Sequence, residues 1–263
     1  MSTSRKTMTT SIAQATPDRV VVRGFDLADD LIGTTSAAEY FHVLLTGERP
    51  REVQVQLLDA CIVALAEHGL VPSVQAARMT YASAPESLQG AVAAGILGCG
   101  SVILGASEAT GKVLKDIVEE ARATGADLES VAVEQVRRLR ANGLQVPGVG
   151  HPLHRESDPR AGALLALAER LGARGDHTAA LEAMVAAVPV VYGRALALNV
   201  SGAIPAVLLD VDFPLAAMKG VPLIGRTMSL VAHLLEEQSA PMGFGLAAAA
   251  ESAVTHRPYD PVL

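Results

Sequence analysis

The sequence predicts an almost wholly α-helical protein, and three observations carry that reading. Apolar residues recur at helical spacing through long segments bounded by capping residues and glycine stops. Only one short stretch is strand-like. No period of 20–50 residues repeats, which argues against a solenoid. Half of the 263 residues are apolar, enough to build a sizeable core.

Along the chain, residues 1–17 are rich in Ser and Thr without the apolar run of a secretory signal, and read as part of a flexible arm over residues 1–22. Arg19–Arg23 (RVVVR) is the one β candidate. Ser36 caps a helix running to Leu45 that Gly47 closes, with Pro50 beyond. From Glu52 to His68, Val53, Leu57, Leu58, Cys61, Ile62 and Leu65 share one helical face, and Gly69 ends the run. Residues 87–107 read as a buried helix and turn. Ala106–Thr124 and Leu128–Ala141 are amphipathic, with basic residues towards their C-terminal halves and Gly125 and Gly143 as stops. Asp158-Pro159 opens a helix to Leu171. His177–Leu198 reads as a helix kinked at Pro189, and Val221–Gln238 is the last strongly periodic segment.

Composition removes several classes of function. Aromatics are 3% of the chain, with no Trp, which is poor material for stacking nucleic-acid bases. Twenty-one basic against 28 acidic residues leave a net charge of −7, opposed to a polyanionic partner. Cys61 and Cys99 lack metal-ligand spacing and sit in apolar surroundings, which fits a reducing cytoplasm. The 21 uncharged residues from Ser87 to Ser107 have spanning length, but five glycines and the absence of an aromatic or basic belt argue against a membrane. Gly105–Lys112 fails as a phosphate loop: five residues separate the glycines, and Val113 follows the lysine.

The glycine-dense stretch Val146-Pro147-Gly148-Val149-Gly150 closes on His151 and then on the capped helix at Asp158, marking a candidate site. Arg160 falls in that helix's first turn, where free N–H groups and the dipole favour an anion and a guanidinium adds bidentate carboxylate recognition. His151 can donate to a carbonyl or oxyanion. His154 pairs with it at i, i+3, but no third ligand is evident, so no metal is expected.

Several stretches, in order, resemble the citrate synthase superfamily. They are Arg23-Gly-Phe-Asp-Leu27 with Ser36 to Tyr40 and Leu44 to Pro50, then Glu67-His68-Gly69-Leu70 with Ser73 and Ala77-Arg78. Val146 to His151 running to Asp158-Pro159-Arg160, Leu198-Asn199-Val200, and Ile224-Gly225-Arg226-Thr227 to Ala232–Glu236 complete the set. The short length and the PGVGH sequence lean towards its citryl-CoA lyase branch, which includes the lyase module of ATP-citrate lyase. The resemblance implies an all-α homodimer with a large domain (residues 23–106 and 201–263) and a small one (107–200). These would close over a CoA thioester and an oxaloacetate-like acid, with no prosthetic group. It implies that His68 hydrogen-bonds the dicarboxylate, that His151 polarises its carbonyl or hydroxyl, and that Arg160 and Arg226 hold its carboxylates. The backbone of Val146, Pro147, Gly148, Val149 and Gly150 would meet the CoA adenine, and Arg257 would reach across the dimer.

Two departures stand out. Where the family carries a catalytic Asp after Asn-Val, this chain has Ser201, whose hydroxyl is far too weak an acid to replace a carboxylate unaided. The family's His-Gly-Gly segment maps to about residues 102–105, without a histidine. Asp210 and Asp212 read chiefly as turn residues before Pro214, and Glu108 as a first-turn helix carboxylate. The expected activity is making or breaking the C–C bond between acetyl-CoA and a keto acid. The alternatives are a non-catalytic dicarboxylate- or CoA-binding homologue and a diverged acyl-CoA hydrolase or decarboxylase.

Overall fold

A computed structural model describes residues 8–102, 104–150 and 158–259. His151 and His154 lie outside the described residues. The chain divides into two compact units, one up to Asp59 and one from Ala60 onward.

The first unit opens with a small antiparallel sheet of β1 (Ala13–Ala15), β2 (Val20–Val22) and β3 (Phe25–Asp26). The β reading of residues 19–23 is thus the centre of a three-stranded sheet, with Gln14 opposite Val21 and Val22 opposite Phe25. A single π-helical turn, Leu27–Leu31, leads to α1 (Ala37–Thr46). Ser36 and Glu39 form a reciprocal capping box at its start, and Gly47 ends it at φ 81°. Arg23 Nε donates to the carbonyl of Leu44 at 2.9 Å, tying the sheet to that helix end.

α2 (Glu52–Ala66) runs from the first unit into the second. There follow α3 (Pro72–Ser83), α4 (Leu88–Leu97), α5 (Ala106–Thr124), α6 (Leu128–Ala141), α7 (Pro159–Arg170), α8 (Asp176–Tyr192), α9 (Val200–Leu209), α10 (Gly220–Ser239) and α11 (Gly243–Ser252). The protein is all-α apart from the small sheet. In the second unit α5, α6 and α8 enclose a core of Leu114, Ile117, Val131, Val136, Leu181, Met184 and Val188. α9 packs against α5, α7 and α8. A separate apolar cluster unites Val74 and Ala77 of α3, Ala91 of α4, and Leu230 and Leu234 of α10.

Three expectations need adjustment. The helix expected to continue to Leu198 stops at Tyr192, because Gly193 adopts φ 72° and donates its N–H to the carbonyl of Pro189. Proline therefore sits in the last turn, four residues before the stop. The uncharged stretch 87–107 does hold a helix, but α4 buries only Ala91 and Gly95, while Leu97 and Val102 are exposed. No helix among the described residues is long and apolar enough to cross a membrane. Finally, part of the expected flexible arm is ordered as β1 and β2. α9, for which no helix was expected, lacks a strongly periodic signature. Nearly every residue in it is buried, so no polar face alternates with the apolar one.

Candidate functional site

The glycine loop and the start of α9 are built as one piece. Gly150 N donates to the carbonyl of Ala197 at 2.7 Å, and Asn199 N donates to that of Gly148 at 3.0 Å. A single antiparallel bridge joins Val149 to Leu198. Asn199 works twice more: its Oδ1 caps α9 by accepting from Ser201 N at 3.0 Å, and its Nδ2 donates to Gly150 O at 2.7 Å. Gly148, at φ 79°, lies so close to α9 that a methyl there would sit 2.7 Å from Gly202 Cα and 2.8 Å from Thr110 Oγ1. Two glycines, one in the loop and one in the helix, therefore permit the contact that fixes the loop.

Asp158 ties α7 to the same assembly. Its buried carboxylate accepts from Arg160 N at 3.1 Å as an N-cap, from Arg160 Nε at 3.0 Å and Nη2 at 2.9 Å, and from Val200 N at 2.9 Å. One side chain thus serves the first turns of both α7 and α9. Burial opposes its charge, but the hydrogen bonds from Arg160 and Val200 outweigh this and hold its carboxyl below the ordinary value. Arg160 is half-buried beside it, so the expected carboxylate-binding arginine is itself oriented by Asp158. Among the described residues, Nη1 is its uncommitted nitrogen.

Arg226 sits on α10, buried, with neither Nε nor Nη1 meeting an acceptor among the described residues. Burial lowers its pKa, attraction to Glu67 and Cys99 resists, and repulsion from Arg160 adds to the lowering. Arg226 therefore lies within electrostatic reach of both Arg160 and Glu67, the residue before His68. A buried guanidinium with unused donors beside a second guanidinium is matched by a di- or tricarboxylate, whose charges would pair both.

The turn before α3 is fixed by Glu67. Its Oε1 accepts from His68 N at 2.9 Å and Gly69 N at 2.5 Å, and its Oε2 accepts from Ser229 Oγ at 2.5 Å and meets His233 Nε2 at 3.0 Å. Behind it lies fully buried Arg78. Its Nη2 meets His233 Nδ1 at 3.0 Å, Nη1 donates to Glu237 at 2.9 Å, and Glu236 also pairs with it. Because Nδ1 faces a guanidinium that can only donate, it must accept, so His233 carries its proton on Nε2 and donates to Glu67.

Ser201 lies half-buried in the first turn of α9, with no carboxylate in its place. Asp210 does not substitute. Its carboxylate caps α8, accepting from the backbone N–H groups of Gly175 (2.7 Å), His177 (2.8 Å) and Thr178 (3.0 Å), besides Thr178 Oγ and His177 Nδ1. Asp212 adopts φ 65° in the turn that follows α9. Glu108 is a helix-surface carboxylate paired with Lys112 at 2.8 Å, which holds its pKa below the ordinary value. Arg257 lies in an exposed segment after α11. No group of three or more His, Cys, Asp or Glu among the described residues has the arrangement of a metal site. Sequence reasoning gave no role to Glu67 or His233; the signals were Glu67's place beside His68 and the position of His233 within the motif Ala232–Glu236.

Residues 9–243 match the family model described as citrate synthase, C-terminal domain. Citryl-CoA lyase from Hydrogenobacter thermophilus superposes with a TM-score of 0.84 at 31% identity, over 97% of this chain and 96% of that one. ATP citrate lyase from Methanothrix soehngenii, solved with citrate and coenzyme A, shares the fold with a TM-score of 0.79 at 20% identity. That match covers 98% of this chain and 42% of the other. A citrate synthase from Haloferax volcanii is 29% identical over 216 residues, 82% of this chain and 55% of the relative. The chain therefore spans about half the length of the curated relatives it matches.

Proposed function

This chain belongs to the citrate synthase family, and from that premise we propose that it is a citryl-CoA lyase-like enzyme. It makes or breaks the bond joining the acetyl-CoA methyl carbon to the carbonyl carbon of an oxaloacetate-like acid. The observation that carries the reading is Arg226, buried with two donor nitrogens that meet no acceptor among the described residues, and within electrostatic reach of Arg160 and Glu67. Likeness along nearly the full length of a citryl-CoA lyase supports the branch.

In the cleavage direction a base takes the hydroxyl proton of citryl-CoA, a carbonyl forms on the acid, and the C–C bond breaks. The bonding electrons pass to the thioester as an enolate, which takes up a proton to give acetyl-CoA. Arg160 and Arg226 hold the acid's carboxylates, His68 hydrogen-bonds them, and His151 polarises the reacting oxygen. The backbone from Val146 to Gly150 seats the CoA adenine, and closure of residues 107–200 over the remainder excludes water. Arg257 completes the site from the second subunit of a cytoplasmic homodimer. Ser201 cannot act as a carboxylate base; it orders the water that exchanges the enolate proton.

The loss of that Asp also favours a second reading, a homologue that binds the same acid and thioester without turnover. Incubation with citryl-CoA, followed by mass spectrometry, separates the two. Acetyl-CoA released by wild type and not by His151→Ala establishes the lyase. Turnover only in Ser201→Asp establishes a binding protein. Binding with release of free CoA alone points to a hydrolase.

A further inference from the structure

We propose that Glu67 is a positioning residue that sets the turn carrying His68 against the helix carrying Arg226. The inference rests on the reading of the site as a dicarboxylate pocket. Glu67 follows Ala66, the last residue of α2, where the partial negative charge of the helix end disfavours a carboxylate. It is nonetheless held at four points, and its pKa is lowered to about 2: burial works against the charge, and the bonds from Ser229, Gly69 and His233 overcome it. An acid retained at an electrostatically poor position by so many donors is there for its geometry.

That geometry has two ends. One oxygen fixes the backbone of His68 and Gly69; the other fixes Ser229 and His233 on α10, one and two turns beyond Arg226. The single carboxylate thereby sets the spacing between the turn that carries His68 and the helix that carries Arg226. Its charge also attracts the Arg226 guanidinium, which otherwise meets burial and the repulsion of Arg160. Arg78, packed on the far side of His233, leaves that imidazole one tautomer, so the proton on Nε2 always points at Glu67.

The test compares wild type, Glu67→Gln, His233→Gln, the double variant and Glu236→Gln. The last loses a partner of Arg78 on the outer side of the network without touching the His68 turn. Citrate affinity is read by calorimetry, scaled to the folded fraction, beside citryl-CoA turnover. Citrate affinity of Glu67→Gln is expected to fall about 10- to 100-fold, the scale set by misplacing binding groups by about an ångström. The double variant should be no weaker than Glu67→Gln, and Glu236→Gln should stay within about threefold of wild type, the usual range for a surface change. A merely structural role would lower the melting temperature and leave the affinity of the folded fraction intact, and that result overturns the proposal. So does additivity in the double variant. Wild type that binds citrate but leaves citryl-CoA uncleaved refutes the lyase reading and leaves this one standing; wild type that binds no citrate refutes both.

Discussion

Replacing Arg226 by methionine should stabilise the ligand-free protein and abolish its response to citrate. Arg226 is 3% exposed, and its Nε and Nη1 find no acceptor among the described residues. Each buried donor left unsatisfied costs about 1–3 kcal/mol. Two such donors set a gross penalty of about 2–6 kcal/mol, from which the attraction of Glu67 must be subtracted. Methionine fills similar space without charge, so a net gain of about 2 kcal/mol is expected, within the range seen when buried charges are replaced by apolar groups. For a chain of this size that is a rise of about 4–8 °C in melting temperature. Citrate at 100 times its dissociation constant should stabilise wild type by about 2.7 kcal/mol, and so raise its melting temperature by a similar amount, whereas the variant should not respond. Differential scanning fluorimetry with and without citrate reads both effects. A variant that melts below wild type in buffer would show that Arg226 is well compensated in the free protein and would refute the reasoning.

Three further outcomes follow from the loop and its anchor. Asp158→Ala removes an N-cap, a bidentate partner of Arg160 and the acceptor for Val200 N–H at once, so urea denaturation should show a loss of about 3–5 kcal/mol. Because the Asp158 carboxyl is held below its ordinary value, its contribution is complete at neutral pH. It fades as pH falls from about 4 through the lower folded value, so Asp158→Asn should flatten the acid limb of the stability profile. Gly148→Ala forces a methyl to within 2.7 Å of Gly202 Cα at a positive φ. The expected result is a fall in CoA affinity, measured by calorimetry, together with a destabilisation of about 1–3 kcal/mol.

Much of the helical framework was legible because the relevant physics is local. The boundaries of α5 and α6 follow from amphipathic period and glycine stops, and α1 from its capping box and Gly47. Where local signals failed, the causes differ from element to element. α9 is buried on nearly every side and contains Pro205, and α3 starts at Pro72 behind Val71, which offers no side-chain cap. α11, Ala-rich and nearly all exposed, has neither an acidic first turn nor a basic last turn.

The sequence by itself determined that the chain is helical, that it belongs with citrate synthase-like proteins, and which histidines and arginines stand in the motif positions. It also showed that a serine replaces the expected carboxylate, a matter of residue identity that no fold can change. Only the tertiary structure decided what those groups touch. It joined Glu67 to Ser229 and His233 across more than 160 residues. It spent Asp210 on capping α8, held Arg160 with Asp158, and left Arg226 buried with donors unpaired. The reason is physical: cap and period act over one or two turns, whereas the charge state and hydrogen bonding of a buried side chain depend on neighbours brought in by packing.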